Sequence, residues 1–345
     1  MSERDVAVVS YAEFHTPAEP SRNETEMLMP VVREALEDVN LEAHDIGFTV
    51  SGSSDYLQGA PFAFVSALDA VGPWPPIRES HVEMDGAFAL YEAWMAIQAG
   101  EVDTALVYAF GKSSRGDIAK LLALQCDPYL VAPMFPDAVG LAGLQARALL
   151  DAGVSERAVA EVVARSRGNA GLDGASVDEV LAQPYWADPL RRHDICPVTD
   201  GAAAVVLAAG DRARELTATP VWIRGLDHRI EPPALGSRDL ASSPSTEQAA
   251  GKAGVADGPV DVAELHAPFA HQELIVSRAL GLGPETAVNP SGGALAANPV
   301  MAAGLVRIGE ASRALAGGAG RRGVAHATSG PCLQQNLVCV LEGEP

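Results

Sequence analysis

The chain has 345 residues, 24 basic and 45 acidic side chains for a formal net charge of −21, 48% hydrophobic types and a mean hydropathy of +0.10. The length suggests two domains or one doubled unit. The acidic excess excludes holding nucleic acid or an anionic membrane by general electrostatics, since both need local positive potential, and the apolar content excludes intrinsic disorder. A few local arginines still suffice for a small anionic ligand.

Residues 1–14, MSERDVAVVSYAEF, lack the charged-then-apolar pattern of a signal peptide. The longest small-apolar run, Gly201 to Gly210, is far short of the roughly 20 residues that span a bilayer. Cys126, Cys196, Cys332 and Cys339 are scattered without a CxxC pair, which argues against a disulfide scaffold or a structural zinc site. A cytoplasmic, metal-free protein is the expectation.

Short β-branched runs alternate with helical patterns, as in α/β proteins. Val6–Tyr11 reads as a strand, Glu24 to Val39 as a helix and Asp45–Ser51 as a second strand, followed by the small-residue stretch SGSSDYLQG. Pro61 to Ala70 reads as helical, and His81–Met84 as a short strand running into a helix from Gly86 to Ala99. Thr104–Phe110 is apolar throughout, which predicts a buried strand. After the irregular stretch from Gly111 to Pro136, helices are expected at Ala138–Ala152 and Ser155–Arg167, then a strand at Gly201–Ala209. A second series follows at Val221–Gly225, Ser245–Gly254, Val262–Leu265, Phe269–Leu280, Ala302–Leu315, Val324–Thr328 and Leu337–Leu341. Two series in similar order suggest two α/β halves, although no repeat is legible in the letters.

Five segments resemble, in order, the thiolase superfamily, and within it the sterol-carrier-protein-type thiolases and the lipid-transfer-protein aldolases. They are RSRGNAGLDGASVDEVL (Arg165–Leu181), CPVTDGAAAVVLA (Cys196–Ala208), ELHAPFA (Glu264–Ala270), NPSGGALAANP (Asn289–Pro299) and PCLQQN (Pro331–Asn336). The resemblance covers nearly the whole chain. It implies an α/β thiolase fold with two similar βαβαβαββ halves in a five-layer αβαβα arrangement. The halves are expected at residues 1–215, including a shortened loop region at about 111–156, and at 216–345. It also implies a dimer and coenzyme A as part of the substrate, with no tightly bound cofactor.

Two departures bear on chemistry. Thiolases carry an acyl group on a cysteine at the mouth of the helix after the third strand, which needs a thiolate and an activating histidine. Aligning Gly86 and Ala89–Leu90 with that pattern puts Glu83 at the nucleophile position, within one or two residues, and no cysteine precedes Cys126. The activating histidine of the family's Gly-His-Pro is replaced by Asn298. Asparagine donates a hydrogen bond to an oxyanion but is no base near neutral pH.

His266 matches the catalytic histidine of the sterol-carrier type, and an imidazole serves as proton acceptor or oxyanion donor. Glu83 and Asp85 are candidates to position a substrate hydroxyl or take its proton, or else cap the helix. Asn298 is an oxyanion candidate or a plain turn residue. Ser291, Gly292 and Gly293 form a turn whose N–H groups suit a thioester. Cys332 lies near the family's second, acid–base cysteine, although buried cysteines usually serve as small hydrophobes. Asp55–Tyr56 is a substrate or dimer contact, or a loop-closing turn. Arg165, Arg167 and Lys112 are weak candidates for coenzyme A phosphates, and His193 and His271 read as surface or helix residues.

Retro-aldol cleavage of a β-hydroxyacyl-CoA, with a sterol side chain as tail, needs these parts and no cysteine nucleophile. The resemblance and the short loop region imply a small zinc-ribbon/OB-fold partner beside a homodimer or thiolase-like heterodimer. The alternatives are a non-catalytic thiolase-like subunit assembling with an active paralogue, and an acyl transferase using Cys332.

Overall fold

The computed structural model describes residues 4–344 apart from 60, 73 and 125. The strands are β1 (Val6–Thr16), β2 (Phe48–Gly52), β3 (Glu79–Val82), β4 (Thr104–Lys112), β5 (Tyr185–Ala187), β6 (Leu190–Arg191), β7 (Asp200–Ala209), β8 (Val221–Ile230), β9 (Val262–Leu265), β10 (Ala287–Val288), β11 (Arg322–Ser329) and β12 (Gln335–Gly343). The helices are α1 (Glu24–Glu37), α2 (Asp55–Gln58), α3 (Leu68–Val71), α4 (Gly86–Gln98), α5 (Ile118–Ala123), α6 (Ala138–Asp151), α7 (Glu156–Asn169), α8 (Val177–Ala182), α9 (Gly210–Leu216), α10 (Pro244–Ala253), α11 (Ala270–Ala279) and α12 (Ala303–Ala316).

Apart from the β5–β6 hairpin, the strands form one mixed sheet in the order β10-β9-β11-β12-β8-β1-β7-β4-β2-β3. Read outward from the centre, β1-β7-β4-β2-β3 and β8-β12-β11-β9-β10 are the same first-fifth-fourth-second-third arrangement. The halves meet where β1 pairs antiparallel with β8 over Val6↔Ile223, Ala7↔Trp222 and Val8↔Val221. The duplication that the letters hide is therefore plain in the topology, and the expected βαβαβαββ order is present in both halves.

The side-chain period of two sorts each strand between layers. On β7, Ala203, Val205, Leu207 and Ala209 face the central core, while Ala202, Ala204, Val206 and Ala208 face α1 and α3. The central core holds α4 and α12, with Phe88, Leu90 and Ile97 from one and Leu305, Ile308 and Leu315 from the other. Each such side chain contributes roughly 1.5–3 kcal/mol on burial. Outside the second half, α10 and α11 cover the other face of β9, β11 and β12. Five layers, αβαβα, result. Residues between β4 and β7 fold over the second half, where α7 packs on Ala270 and Leu149 of α6 joins the α10–α11 core.

Close approach of the two central helices rests on glycine. A Cβ at Gly304 would lie 2.4 Å from Asp85 Oδ1 and 2.6 Å from Ala327 Cβ. Gly304→Ala is therefore expected to destabilise the protein by about 2 kcal/mol, read from chemical denaturation. A variant as stable as the parent would contradict this packing. Among the described residues no helix is long and apolar enough to cross a membrane, and no group of three His, Cys, Asp or Glu is placed to hold a metal ion.

Candidate active site

Where β9 ends, the chain turns away at Pro268 and leaves His266 inside the protein, 6% exposed. Its backbone N–H donates to His326 O at 3.1 Å. The ring Nδ1 accepts from the Thr328 backbone N–H at 3.4 Å, so the proton sits on Nε2, which donates to Asn298 Oδ1 at 3.0 Å. Burial, with the His326 ring and the Arg307 guanidinium nearby, pushes the His266 pKa down to about 3. The imidazole is thus neutral at physiological pH, a donor through Nε2 and a poor proton acceptor.

Asn298 is held by its backbone N–H on Thr199 Oγ1 at 2.8 Å, and its Nδ2 donates to Cys196 Sγ at 3.3 Å. A thiol sulfur is a weak acceptor, so this N–H is available to a stronger one. Burial pushes the Cys196 thiol up to about 12. The sequence had marked Cys196 only as part of a strand-entry motif. Its apposition to Asn298, 102 residues away, comes from the fold.

The carboxylate at the helix mouth is Asp85. As the N-cap of α4 it accepts Ala87 N–H on Oδ1 at 2.9 Å. It also grips the start of α12, taking Gly304 N–H on Oδ2 at 2.9 Å and Leu305 N–H on Oδ1 at 3.1 Å. Burial raises its pKa to about 6 against the pull of those three donors. Gly86 N–H goes to Met301 O at 2.8 Å, and Met301 holds a left-handed φ of 76°. A left-handed backbone on a non-glycine residue is a strain that the surrounding packing must sustain.

Asp85, Cys196, His266 and Asn298 line one cleft with about 830 Å³ of empty space, part of it open to solvent. Its walls are apolar, with Leu122, Leu141, Phe269, Val300, Met301 and Leu333 prominent. No lysine or arginine lines it among the described residues.

No protein-family model matches the chain. It is 27% identical to the acetyl-CoA acetyltransferase of Methanothermobacter thermautotrophicus, over 95% of either protein. It is also 27% identical to human sterol carrier protein 2, over 73% of this chain and 54% of that relative. The Ltp2-ChsH2(DUF35) aldolase superimposes with a TM-score of 0.81 at 17% identity, over 98% of this chain and 97% of the other. Human mitochondrial 3-ketoacyl-CoA thiolase, solved in complex with CoA, superimposes with a TM-score of 0.79 at 18% identity, over 99% and 98%. The chain has the thiolase-superfamily fold and is similar to an acetyl-CoA acetyltransferase over nearly its whole length.

Measured against that superfamily, the mouth of α4 carries no thiol. Glu83 does not reach the cleft either: its Oε1 accepts Asp55 N–H at 2.7 Å, and it braces the loop that Asp55 closes through Phe62 N–H and Ala63 N–H. Asp55, the first residue of α2, thus ties down the loop that follows that helix, and the side chain of Tyr56 lies outside the described part. The expected thioester turn is also corrected. Ser291 N–H goes to Glu264 Oε1 at 3.0 Å, Gly292 N–H to Asn289 O at 2.9 Å and Gly293 N–H to Ser291 Oγ at 3.2 Å. All three donors are used, and Ser291 and Gly293 line a separate charged pocket with Glu13, His15, Arg307 and Arg313.

Cys332 does line the cleft, but its thiol is spent on Leu141 O at 3.4 Å and burial pushes it up to about 12. The three cations considered for phosphates are engaged elsewhere: Arg165 pairs with Glu273, Arg167 donates to Asp173 O at 2.6 Å and buried Lys112 to Arg22 O. His193 is half-buried beside Gln183. His271 is on a helix as expected but fully buried, with Nε2 at 3.3 Å from Gln145 Oε1. With both cleft thiols protonated, alkylation of Cys196 and Cys332 by iodoacetamide at pH 8 is expected to be at least about 100-fold slower than that of a free thiol of pKa near 8.5. Peptide mass spectrometry measures it, and rapid labelling of either residue would refute the assignment.

Proposed function

We propose that the chain cleaves the Cα–Cβ bond of a β-hydroxyacyl-CoA by a retro-aldol reaction, with no acyl-enzyme. The observation that carries this reading is a cleft holding two neutral N–H donors and a carboxylate of pKa about 6, with no thiolate. A substrate thioester oxygen takes the places of Asn298 Oδ1 and the weak acceptor Cys196 Sγ and receives hydrogen bonds from His266 Nε2–H and Asn298 Nδ2–H. Asp85 accepts the β-hydroxyl proton. The oxygen lone pair becomes the carbonyl π bond, the Cα–Cβ pair moves into a thioester enolate held by the two donors, and Cα takes up the proton that Asp85 accepted, which restores the carboxylate. A ketone or aldehyde and a shortened acyl-CoA leave. His266 thus acts as a donor, and the base role shifts to Asp85, whose pKa suits proton transfer near neutrality.

The apolar walls support a bulky alicyclic tail such as a sterol side chain. Coenzyme A phosphates find no cation in the cleft, which supports a partner that supplies them, as does the two-component name of the aldolase neighbour. Assembly as a dimer has support in the open edge at β3, where Phe64 stacks on His81 beside exposed Phe62. One observation favours the second reading, a non-catalytic subunit: His266, Asn298 and Asp85 already satisfy one another or their neighbours. Incubating the natively purified complex with β-hydroxyacyl-CoA thioesters separates the two. Carbonyl release that drops about 10²–10³-fold in His266→Ala supports cleavage. A stable complex with the same turnover in parent and variant supports the subunit.

A further inference from the structure

The cleft depends on a charged knot beneath it that no element of the proposed reaction uses. Arg307, on α12, is 4% exposed and donates through Nη1 to Glu264 Oε2 at 2.8 Å and to Ser291 Oγ at 2.7 Å. Glu264, fully buried on β9, also accepts Ser291 Oγ–H at 2.8 Å. Three elements meet in this triad, and each delivers one group to the cleft. Strand β9 runs on to His266 two residues later. The turn at Ser291 leads to Asn298. Helix α12 closes on Asp85 one turn before Arg307, through the N–H groups of Gly304 and Leu305.

We propose that Arg307 is a positioning residue, which with Glu264 and Ser291 locks His266, Asn298 and Asp85 in register and sets the field in which Asp85 and His266 hold their charge states. The proposal deepens the retro-aldol reading and rests on it for the roles of those groups. The field follows from the layout. The charged and titratable groups around Arg307 are Glu264 and His266 at β9, Asp85 at α4, Tyr11, Glu13 and His15 on β1, and Glu310 and Arg313 on α12. Glu13 and Glu310 have Arg313 as their own counter-ion, and Arg307, itself paired with Glu264, is the buried cation that acts on Asp85 and His266. A buried cation favours the ionised carboxyl and the neutral imidazole, the states that the two groups need.

A knot that only holds structure and a knot that also sets charge differ in one readout. The ionisation of Asp85 is followed by NMR in resting full-length protein carrying carboxyl-13C aspartate, with no substrate present. Arg307→Met is expected to raise the pH at which Asp85 ionises, and Glu264→Gln, which leaves the cation unneutralised, to lower it. Arg307→Lys is expected to restore most of the parent behaviour. Should Arg307→Met fail to fold because Glu264 is left unpaired, Glu264→Gln keeps the side-chain shape and carries the test. Opposite displacements in the two variants support the proposal; a folded variant of either kind that titrates like the parent overturns it. Because no turnover is measured, the outcome is independent of whether β-hydroxyacyl-CoA is cleaved.

Discussion

Asp85→Ala is expected to lower unfolding free energy by about 3–5 kcal/mol at pH 5, because it orphans three buried backbone donors on two helices at once. The cost should shrink as pH rises, and the sign follows from the pKa. Burial raises this carboxyl from an ordinary 3.8 to about 6. The fold therefore binds this proton more tightly than the unfolded chain does, so its contribution is full below pH 4 and lost as pH rises through 6. Between pH 5 and pH 7.5 the difference is about 1.4 kcal/mol, so the parent-minus-variant gap narrows by about that much. Urea denaturation of both proteins at the two pH values measures it, and a gap that widens toward alkaline pH would refute the burial assignment. If Asp85 is the proton acceptor, the same variant loses about 10³-fold in kcat.

A larger effect is expected on acidification. His266 and His271 are pushed down to about 3 and His326 to about 4, burial being the leading cause in each. In the unfolded chain each returns to an ordinary 6.5. A depressed histidine contributes stability above pH 6.5 that is lost as pH falls toward the folded value. At pH 5 the loss is about 2 kcal/mol per ring and about 6 kcal/mol for the three, which outweighs the opposite contributions of Asp85 and Glu310, about 4 kcal/mol together. Typical stabilities are of similar size, about 5–15 kcal/mol. A marked loss of stability as pH falls through 5 is the expected result, and His271→Gln should remove about one of the three protons that the rings take up on unfolding. Urea denaturation followed by circular dichroism across that range reads both, and a chain as stable at pH 4 as at neutral pH would contradict the burial of these rings.

How far the letters carried varies with the physics of each segment. Strand β9 was expected at Val262–Leu265 and lies there, because a short apolar run between Pro259–Asp261 and Pro268 has sharp ends. The edge strand was displaced: His81–Met84 was expected, and Glu79–Val82 is observed. All four of its residues are half-buried, so no alternation pinned the register. The β5–β6 hairpin and the two-residue β10 are too short to leave a period. In the cleft, the motif alignment placed Glu83 at the nucleophile position with an uncertainty of one or two residues. The N-cap preference for Asp immediately before Gly86 was the signal that Asp85 holds the helix mouth. Contacts of Asn298 with both His266 and Cys196 join three distant motifs and were legible only through the fold. The thioester turn misled because its glycines shape a backbone that its own neighbours satisfy.

Carbon–carbon cleavage without a covalent intermediate makes one direct demand on the protein itself. The natively purified complex is mixed with a β-hydroxyacyl-CoA, quenched at intervals by acid, and the intact mass of the chain is recorded beside the carbonyl product. The expected result is accumulating ketone or aldehyde with a chain whose mass never changes. A transient acyl adduct that maps to Cys196 or Cys332 would contradict it.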